Sequence, residues 1–448
     1  MDLKSKVIIN ENFYSTVLEN SRKIVIYLPR SYEKVLNKRF PTVYIHAGQR
    51  IFDPIKENEE SWKVHKVADK LIKEKKIEEV IIIGIAHKRI TDTNEFCHFI
   101  SPDKHVRCSG LLYEKFIINE LKPYIDSHYR TLPDCDNTAL IGSSAGGLST
   151  YHIGFRNPDI FGKIGLMSPF FVKVNDNDHS ETKLYNEFGK KENLNIWIDI
   201  GGAEGMFLVR HVRNVADNLV KAGYKYGEEL VYYQDPNGAH FEKDWGERVH
   251  LPLLYFFGDI GHPQSIILDG RNIVGLKGIE VKVNPIITYD SGFIMSHIDG
   301  EYIVSRPNIL EIRRDGTIIP KNEGTSLVTF ISKGLKATKE YKVIKELSEC
   351  VNVSMTVNVP ENTPENDHIY ISTGMILNKV DNYQYEGNFK LPRDLACEFK
   401  FSRGFRLFEV KRDGSPMNNR KFKATKDLKL NYTVENWIDN QIEREEDV

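Results

Sequence analysis

A serine at the apex of a small-residue turn is the chain's clearest chemical feature. The run Ile141-Gly142-Ser143-Ser144-Ala145-Gly146-Gly147 closes an apolar stretch and reads as Gly-x-Ser-x-Gly, the pattern that holds a nucleophilic serine on a tight strand-to-helix turn. Glycine suits positions 142 and 146 because a side chain there would meet the neighbouring strand or helix. A serine hydroxyl is a weak nucleophile near neutral pH and needs a base, which in turn needs an acid to orient it. In this arrangement the chain order is serine, acid, histidine, with acid and histidine on loops after late strands. Glu204, in Gly201-Gly202-Ala203-Glu204-Gly205, and His240, in Gly238-Ala239-His240, fall in those places. Asp199 is the competing acid, but it lies inside an apolar strand. Asp235 is a second competitor, although Asp235-Pro236-Asn237-Gly238 is explained as a turn. Acyl transfer also needs donors for the developing oxyanion. The backbone N–H of Ala145 is one candidate, and an N–H from the turn after His46, at Gly48 or Gln49, is the other.

These residues need a frame. Residues 7–30 alternate apolar and polar and read as an opening edge hairpin ended by Pro29. Phe40 to Gln49 and Val80 to Ile85 are apolar strands, with helical spacing from Ser61 to Lys75 between them. A helix from Tyr113 to Tyr129 precedes the strand Thr138 to Ile141. Further strands at 162–169, 195–201 and 230–234 alternate with a helix from Leu208 to Ala222 and a closing helix from Trp245 to Phe257. Strand and helix alternating over this length predict a doubly wound α/β sheet with its chemistry at the carboxyl ends of the strands. After Gly258 sustained helical periodicity stops. Short β-rich runs follow, at Ile279–Val283, Glu301–Ser305, Ser326–Ser332 and Tyr341–Ile344. A second series lies at Val353–Val359, His368–Ser372, Ala396–Phe401 and Phe405–Lys411. The expected division is an α/β domain at 1–260 and two all-β sandwiches at 264–345 and 349–440. The tail from Ile442 is expected to fray.

Composition narrows the function classes. Among 448 residues, 61 basic and 63 acidic side chains nearly cancel, which argues against nucleic acid or an anionic membrane as partner. No apolar stretch reaches the length of a bilayer span, and no phosphate-binding glycine loop calls for a nucleotide cofactor. The start Met1 to Lys6 has no apolar signal core, so the chain as written reads as cytoplasmic, or extracellular if a leader was removed. Cys97, Cys108, Cys135, Cys350 and Cys397 are few and odd in number, and are expected as free thiols in a reducing compartment. His87, His98 and His105 beside Cys97 and Cys108 match no common zinc spacing, so no metal is expected.

With those residues in place, the first 258 resemble the putative esterase family of α/β-hydrolases, which includes esterase D, enterochelin esterases and feruloyl or acetyl xylan esterases. The likeness runs through Gly142 to Leu148, Phe155-Arg156-Asn157-Pro158-Asp159 to Lys163, Met167-Ser168-Pro169-Phe170, Leu121 to Arg130, and His240-x-Glu242-x-x-Trp245-x-x-Arg248. It implies Ser144 as nucleophile, His240 as base and Glu204 as acid, acting without a cofactor on an ester. Where many members carry Asp-Gly-Gln-Asn, this chain has Ala47-Gly48-Gln49-Arg50, which loses a carboxylate and gains a cation beside the oxyanion turn. Tyr302 to Ser305, Asp315-Gly316, Glu323 to Thr325 and Val328-Thr329 resemble a bacterial immunoglobulin-like module. Phe399 to Gly404, Asn419-Arg420 and Asn436-Trp437-x-Asp439 are similar to a starch-binding type carbohydrate-binding module. Thr373 to Asn378, where that module usually offers a tryptophan to sugar, holds no aromatic, and Trp437 reads as core. The expectation is a serine esterase acting on a small-molecule or glycan ester; acylated sugars, feruloyl or acetyl esters on polysaccharide and siderophore lactones all stay open, the sugar-module likeness leaning towards carbohydrate and its missing tryptophan leaning away. The competing expectation is a non-catalytic scaffold that keeps a hydrolase fold beside two accessory β domains.

Overall fold

The computed structural model describes residues 4–439 except 54–59, 89–92, 102–104, 175–179, 189, 206–208, 372–373 and 405–406. The serine-bearing part is built on an eight-stranded sheet. From edge to edge its strands are Lys6–Ser15, Asn20–Leu28, Ile81–Ile85, Thr42–His46, Thr138–Ser143, Lys163–Met167, Asn195–Gly201 and Leu230–Asp235. The first two form the expected edge hairpin and pair antiparallel. Asn20–Leu28 also pairs antiparallel with Ile81–Ile85, and from Ile81–Ile85 onward all neighbours pair parallel. Central strands are buried on both faces, Thr42–His46 and Ile81–Ile85 along their whole length, which is why they read as unbroken apolar runs. Alternation survives within them. Val43, Ile45 and Ile82 pack with Val64, Ala68, Leu71 and Leu254 on one face, while Tyr44, Ile81 and Ile83 pack with Tyr113, Phe116 and Ile153 on the other.

The chain leaves Thr42–His46 for Ile81–Ile85 on one side and returns to Thr138–Ser143 on the other. That reversal opens a crevice at the carboxyl ends of the two inner strands, where His46 lies against Gly146 of the serine turn. The helix at Gly110–Phe116 and Lys122–His128 is one rod with a π-helical turn at Ile117–Leu121. The closing helix is in fact two, Glu242–Arg248 and His250–Phe257. The start of the Leu208 helix lies outside the described residues, and its described part is Val209–Lys221.

Beyond Phe257 the chain is strand-rich. Pro263–Asp269, Asn284–Tyr289 and Ile294–Ser296 form a three-stranded antiparallel sheet. Ile273–Gly278, Leu335–Leu347, Gly324–Ser332 and Glu301–Val304 form a four-stranded one. The run Ile279–Val283 is not a strand. Only Lys282 makes a bridge, to Thr317, because the strands on either side take the long pairings. Val274, Val283, Leu310, Val328 and Tyr341 gather into a small core. Ile286, Ile287, Phe293, Met295 and Phe330 instead join the core of the α/β part with Trp197, Tyr233 and Leu254. Cys350–Asn358, Gln384–Pro392, Ile376–Asp381, Ile369–Ile371, Phe401–Ser402 and Leu428–Thr433 make a six-stranded sheet. The pair Ala396–Phe399 with Arg420–Lys423 stands beside it. Phe405 and the tail fall outside the described residues, and of the Phe405–Lys411 run Glu409–Val410 is a strand. Trp437 is fully buried, with its indole N–H on Thr363 Oγ1 at 2.9 Å. It is core, as its place at a strand end implied.

Candidate active site

Ser144 follows the strand Thr138–Ser143 and stands at the N-cap position of the helix Ala145–Arg156, with φ 54° and ψ −123°. Positive φ is costly for a residue with a Cβ and persists only where the surroundings enforce it. They do so here: Ser144 N–H donates to Met167 O (3.0 Å), and its carbonyl accepts from Leu148 N (3.1 Å) and Phe170 N (3.0 Å). Gly142 is needed for the turn to close, since a Cβ there would lie 2.4 Å from Gly146 O.

The three side chains drawn from distant loops meet. Ser144 Oγ is 2.9 Å from His240 Nε2, and His240 Nδ1 is 2.8 Å from Glu204 Oε2. With the imidazole proton on Nδ1, Nε2 is the acceptor of the serine hydroxyl. Glu204 is buried, yet its other oxygen takes Ser168 Oγ–H at 2.5 Å and Gly201 N–H at 2.7 Å. Burial raises the carboxyl's pKa. The nearby His240 and Arg248 and the Ser168 hydrogen bond lower it by more, and the net direction is below the ordinary glutamate value. The loop lies flat on the histidine loop: Gly202 N–H donates to Asp235 O (2.7 Å) and Ala203 N–H to Gly238 O (2.9 Å).

Asp199 is 0% exposed. It accepts Trp197 Nε1–H at 2.7 Å and Arg248 Nε–H at 3.2 Å, and the structure gives it no hydrogen bond to His240. Burial pushes its pKa up to about 6, against the pull of Arg248. Asp235 takes the turn role, accepting Asn237 N–H at 3.1 Å. Three residues on the helix after the histidine explain the His-x-Glu-x-x-Trp-x-x-Arg spacing. Glu242 accepts Trp62 Nε1–H at 2.7 Å and lies 3.9 Å from Arg50 Nε. Trp245 sets its ring edge-on to His240 at 4.9 Å and donates Nε1–H to Ser168 at 3.0 Å. Arg248 reaches Ser168 at 2.9 Å and stands 3.5 Å from Glu204. Neither Ser168 nor Arg248 stands out in the sequence as a partner of Glu204, although both lie in the motifs quoted above.

At the other wall, Ala47 has φ 56°, and Gly48 is buried against the backbone of Gly84. Gln49 Oε1 accepts His87 N–H at 3.0 Å, so its side chain braces the turn. The cation gained at Arg50 is directed to Glu242. His46, fully buried, bonds Tyr113 Oη at 2.9 Å, and its pKa is lowered to about 3 by burial and by His98 and His87. Cys97 and Cys108 form a disulfide with Cα atoms 4.8 Å apart, which corrects the expectation of five free thiols. Thr93–Asn94 and Arg107–Cys108 pair side by side and bring the two cysteines together. Cys135, Cys350 and Cys397 are not disulfide-bonded. His98 stacks on His152, and the His87 ring sits tilted against Phe96 with centroids 4.8 Å apart. Among the described residues no three His, Cys, Asp or Glu side chains converge as a metal site, and no helix is long and apolar enough to cross a membrane.

A mainly parallel sheet whose fifth strand in sequence turns through a strained serine into a buried helix defines an α/β-hydrolase fold. The chain belongs to the Putative esterase family, whose model matches residues 15–251. It is 35% identical over 163 residues to an endo-1,4-beta-xylanase/feruloyl esterase of Xylanibacter ruminicola, covering 35% of this chain and 20% of that protein. It is 26% identical over 248 residues to the uncharacterized protein YbbA of Bacillus subtilis, covering 53% and 93%. Among solved structures, a CE1 ferulic acid esterase from Anaeromyces mucronatus matches at 22% identity and TM-score 0.42, over 57% of this chain and 88% of that one. The enterobactin esterase of Shigella flexneri matches at 18% identity and TM-score 0.42, over 57% and 60%.

Proposed function

We propose that the chain is a serine hydrolase of carboxylic esters, with Ser144 as nucleophile, His240 as general base and acid, and Glu204 as the acid that orients the imidazole. The observation that carries this is the unbroken hydrogen-bond line from Ser144 Oγ through both ring nitrogens of His240 to a buried, ionised Glu204. As Ser144 attacks the ester carbonyl carbon, its proton passes to His240 Nε2, and Glu204 stabilises the imidazolium. Backbone N–H groups of Ala145 and of Gly48 or Gln49 receive the oxyanion. Collapse expels the alcohol, which takes the proton from His240, and leaves an acyl-serine. Water then repeats the cycle with the same base and frees the acid.

The favoured substrate is an ester on carbohydrate, feruloyl or acetyl. Its support is the relative whose name joins xylanase to feruloyl esterase. On the same reading residues 1–260 are the catalytic domain, and 264–345 and 349–440 are two β sandwiches. A fluorophosphonate probe should label wild-type protein at Ser144 and leave Ser144→Ala unlabelled. An unlabelled folded wild type, beside a known serine esterase that labels, would sink the proposal.

A further inference from the structure

The acid loop has a second neighbour besides the histidine loop. Its outer edge is paired with the last β-rich block. Glu398 N–H donates to Ala203 O at 3.0 Å, and Cys397 and Glu204 form an antiparallel bridge. The strand that makes this contact, Ala396–Phe399, is paired on its other edge with Arg420–Lys423. Its residues are firmly held: Cys397 and Phe399 are buried in the block's core, and Glu398 takes Asn419 Nδ2–H at 2.9 Å and Lys421 Nζ at 2.7 Å. A further contact lies on the histidine side, where Lys400 Nζ sits 5.9 Å from the Phe241 ring, one residue past His240.

The acid thus sits on a one-turn loop between two backbone contacts, one running inward to the histidine loop and one running outward to a strand almost two hundred residues later in the chain. A loop of this length has little rigidity of its own. Misplacing a catalytic group by an ångström costs up to about a hundredfold in rate. We infer that the strand Ala396–Phe399 is a positioning element of the active site: by pairing with Ala203-Glu204 it fixes where Glu204 meets His240, so the last β block is a working part of the catalytic centre. This rests on the triad reading above.

The test uses the full-length protein. Glu398→Pro removes the N–H that Ala203 accepts. It spares the ladder to Arg420–Lys423, because that N–H points away from it. Leu391→Ala is the comparison, since it weakens the same block from its core without touching the bridge. Active sites are counted by burst titration, and kcat and KM are expressed per titrated site. Glu398→Pro should lower kcat per site about tenfold to a hundredfold with KM unchanged, and Leu391→Ala should lower only the number of sites. If Glu398→Pro yields no folded protein, a backbone ester made by placing the α-hydroxy analogue of glutamate at position 398 removes the same N–H without a ring and should give the same split. Wild-type kcat per site in the folded Glu398 variant overturns the inference, as does an equal per-site loss in Leu391→Ala. A wild type with neither burst nor label instead overturns the serine-esterase reading beneath it.

Discussion

At the scale of single residues, the two buried carboxylates beside Arg248 divide the work. Glu204 touches the imidazole, whereas Asp199 touches Trp197 and Arg248. Glu204→Gln keeps the shape but loses the charge that stabilises the imidazolium. It should lower kcat by about 10² to 10⁴ with little change in KM. Asp199→Asn should leave kcat within about tenfold and instead lower the unfolding free energy in urea by about 1–3 kcal/mol, as Arg248 loses a buried anionic partner. Steady-state kinetics and urea unfolding of the pair check this, and the reverse pattern would make Asp199 the acid. The proposed choice of Glu204 over Asp199 is half legible in the sequence. Glu204 was favoured because it follows its strand, and a side chain locked inside a strand has little freedom to reach an imidazole. What the sequence could not show is the support behind it. Ser168, Trp245 and Arg248 meet Glu204 or one another across 36 to 80 residues, and no local spacing records such contacts.

Among the elements, the elbow is the most tightly built. A Cβ on Gly142 would fall 2.4 Å from Gly146 O, 2.5 Å from Gly146 C and 2.7 Å from Thr150 Oγ1, and two of these are backbone atoms that cannot swing aside. Gly142→Ala should therefore destabilise by about 1–3 kcal/mol and slow fluorophosphonate labelling as Ser144 shifts. A variant with wild-type midpoint and labelling rate would contradict the packing argument. The parallel strands were legible because full burial leaves them as plain apolar runs. Helix ends were less so: the break between Arg248 and His250, and the π-helical turn at Ile117–Leu121, come from tertiary packing. In the strand-rich part Ile279–Val283 has the right residue types for a strand but no continuous partner. Leu335–Leu347 runs far beyond the four residues expected, since it pairs on both edges. The Cys97–Cys108 disulfide was hidden by an odd cysteine count.

For the molecule as a whole, acid should be destabilising. His46 and His152 are lowered to about 3 and His297 to about 4, burial being the largest cause in each. His65 and His250 are lowered too. Below the ordinary histidine value near 6.5 the unfolded chain binds protons that the native chain refuses, so stability is lost as pH falls from about 6.5 towards 4. Asp199 and Asp244, both raised to about 6 by burial, work in the opposite sense, holding protons in the native state that the unfolded chain releases above about 4. His211 is lowered to about 4 as well and Glu78 is raised, so six lowered histidines outweigh three raised carboxyls, and urea midpoints should be lower at pH 5 than at pH 7; equal midpoints would contradict the balance. The apolar core is shared across the chain as well. Phe293 packs edge-on against Trp197 with ring centroids 5.8 Å apart, Gln234 N–H donates to Ser296 Oγ at 3.0 Å, and Arg213 donates to Asp315 O at 2.6 Å. Calorimetry should then show the α/β part and the block at 263–347 melting in one transition, and two resolved peaks for them would contradict it. A protease cut at the 258–262 connection would not release a soluble catalytic fragment: the nicked halves should stay together through a non-denaturing column, and forced separation should leave the α/β half with a sticky apolar face prone to aggregation.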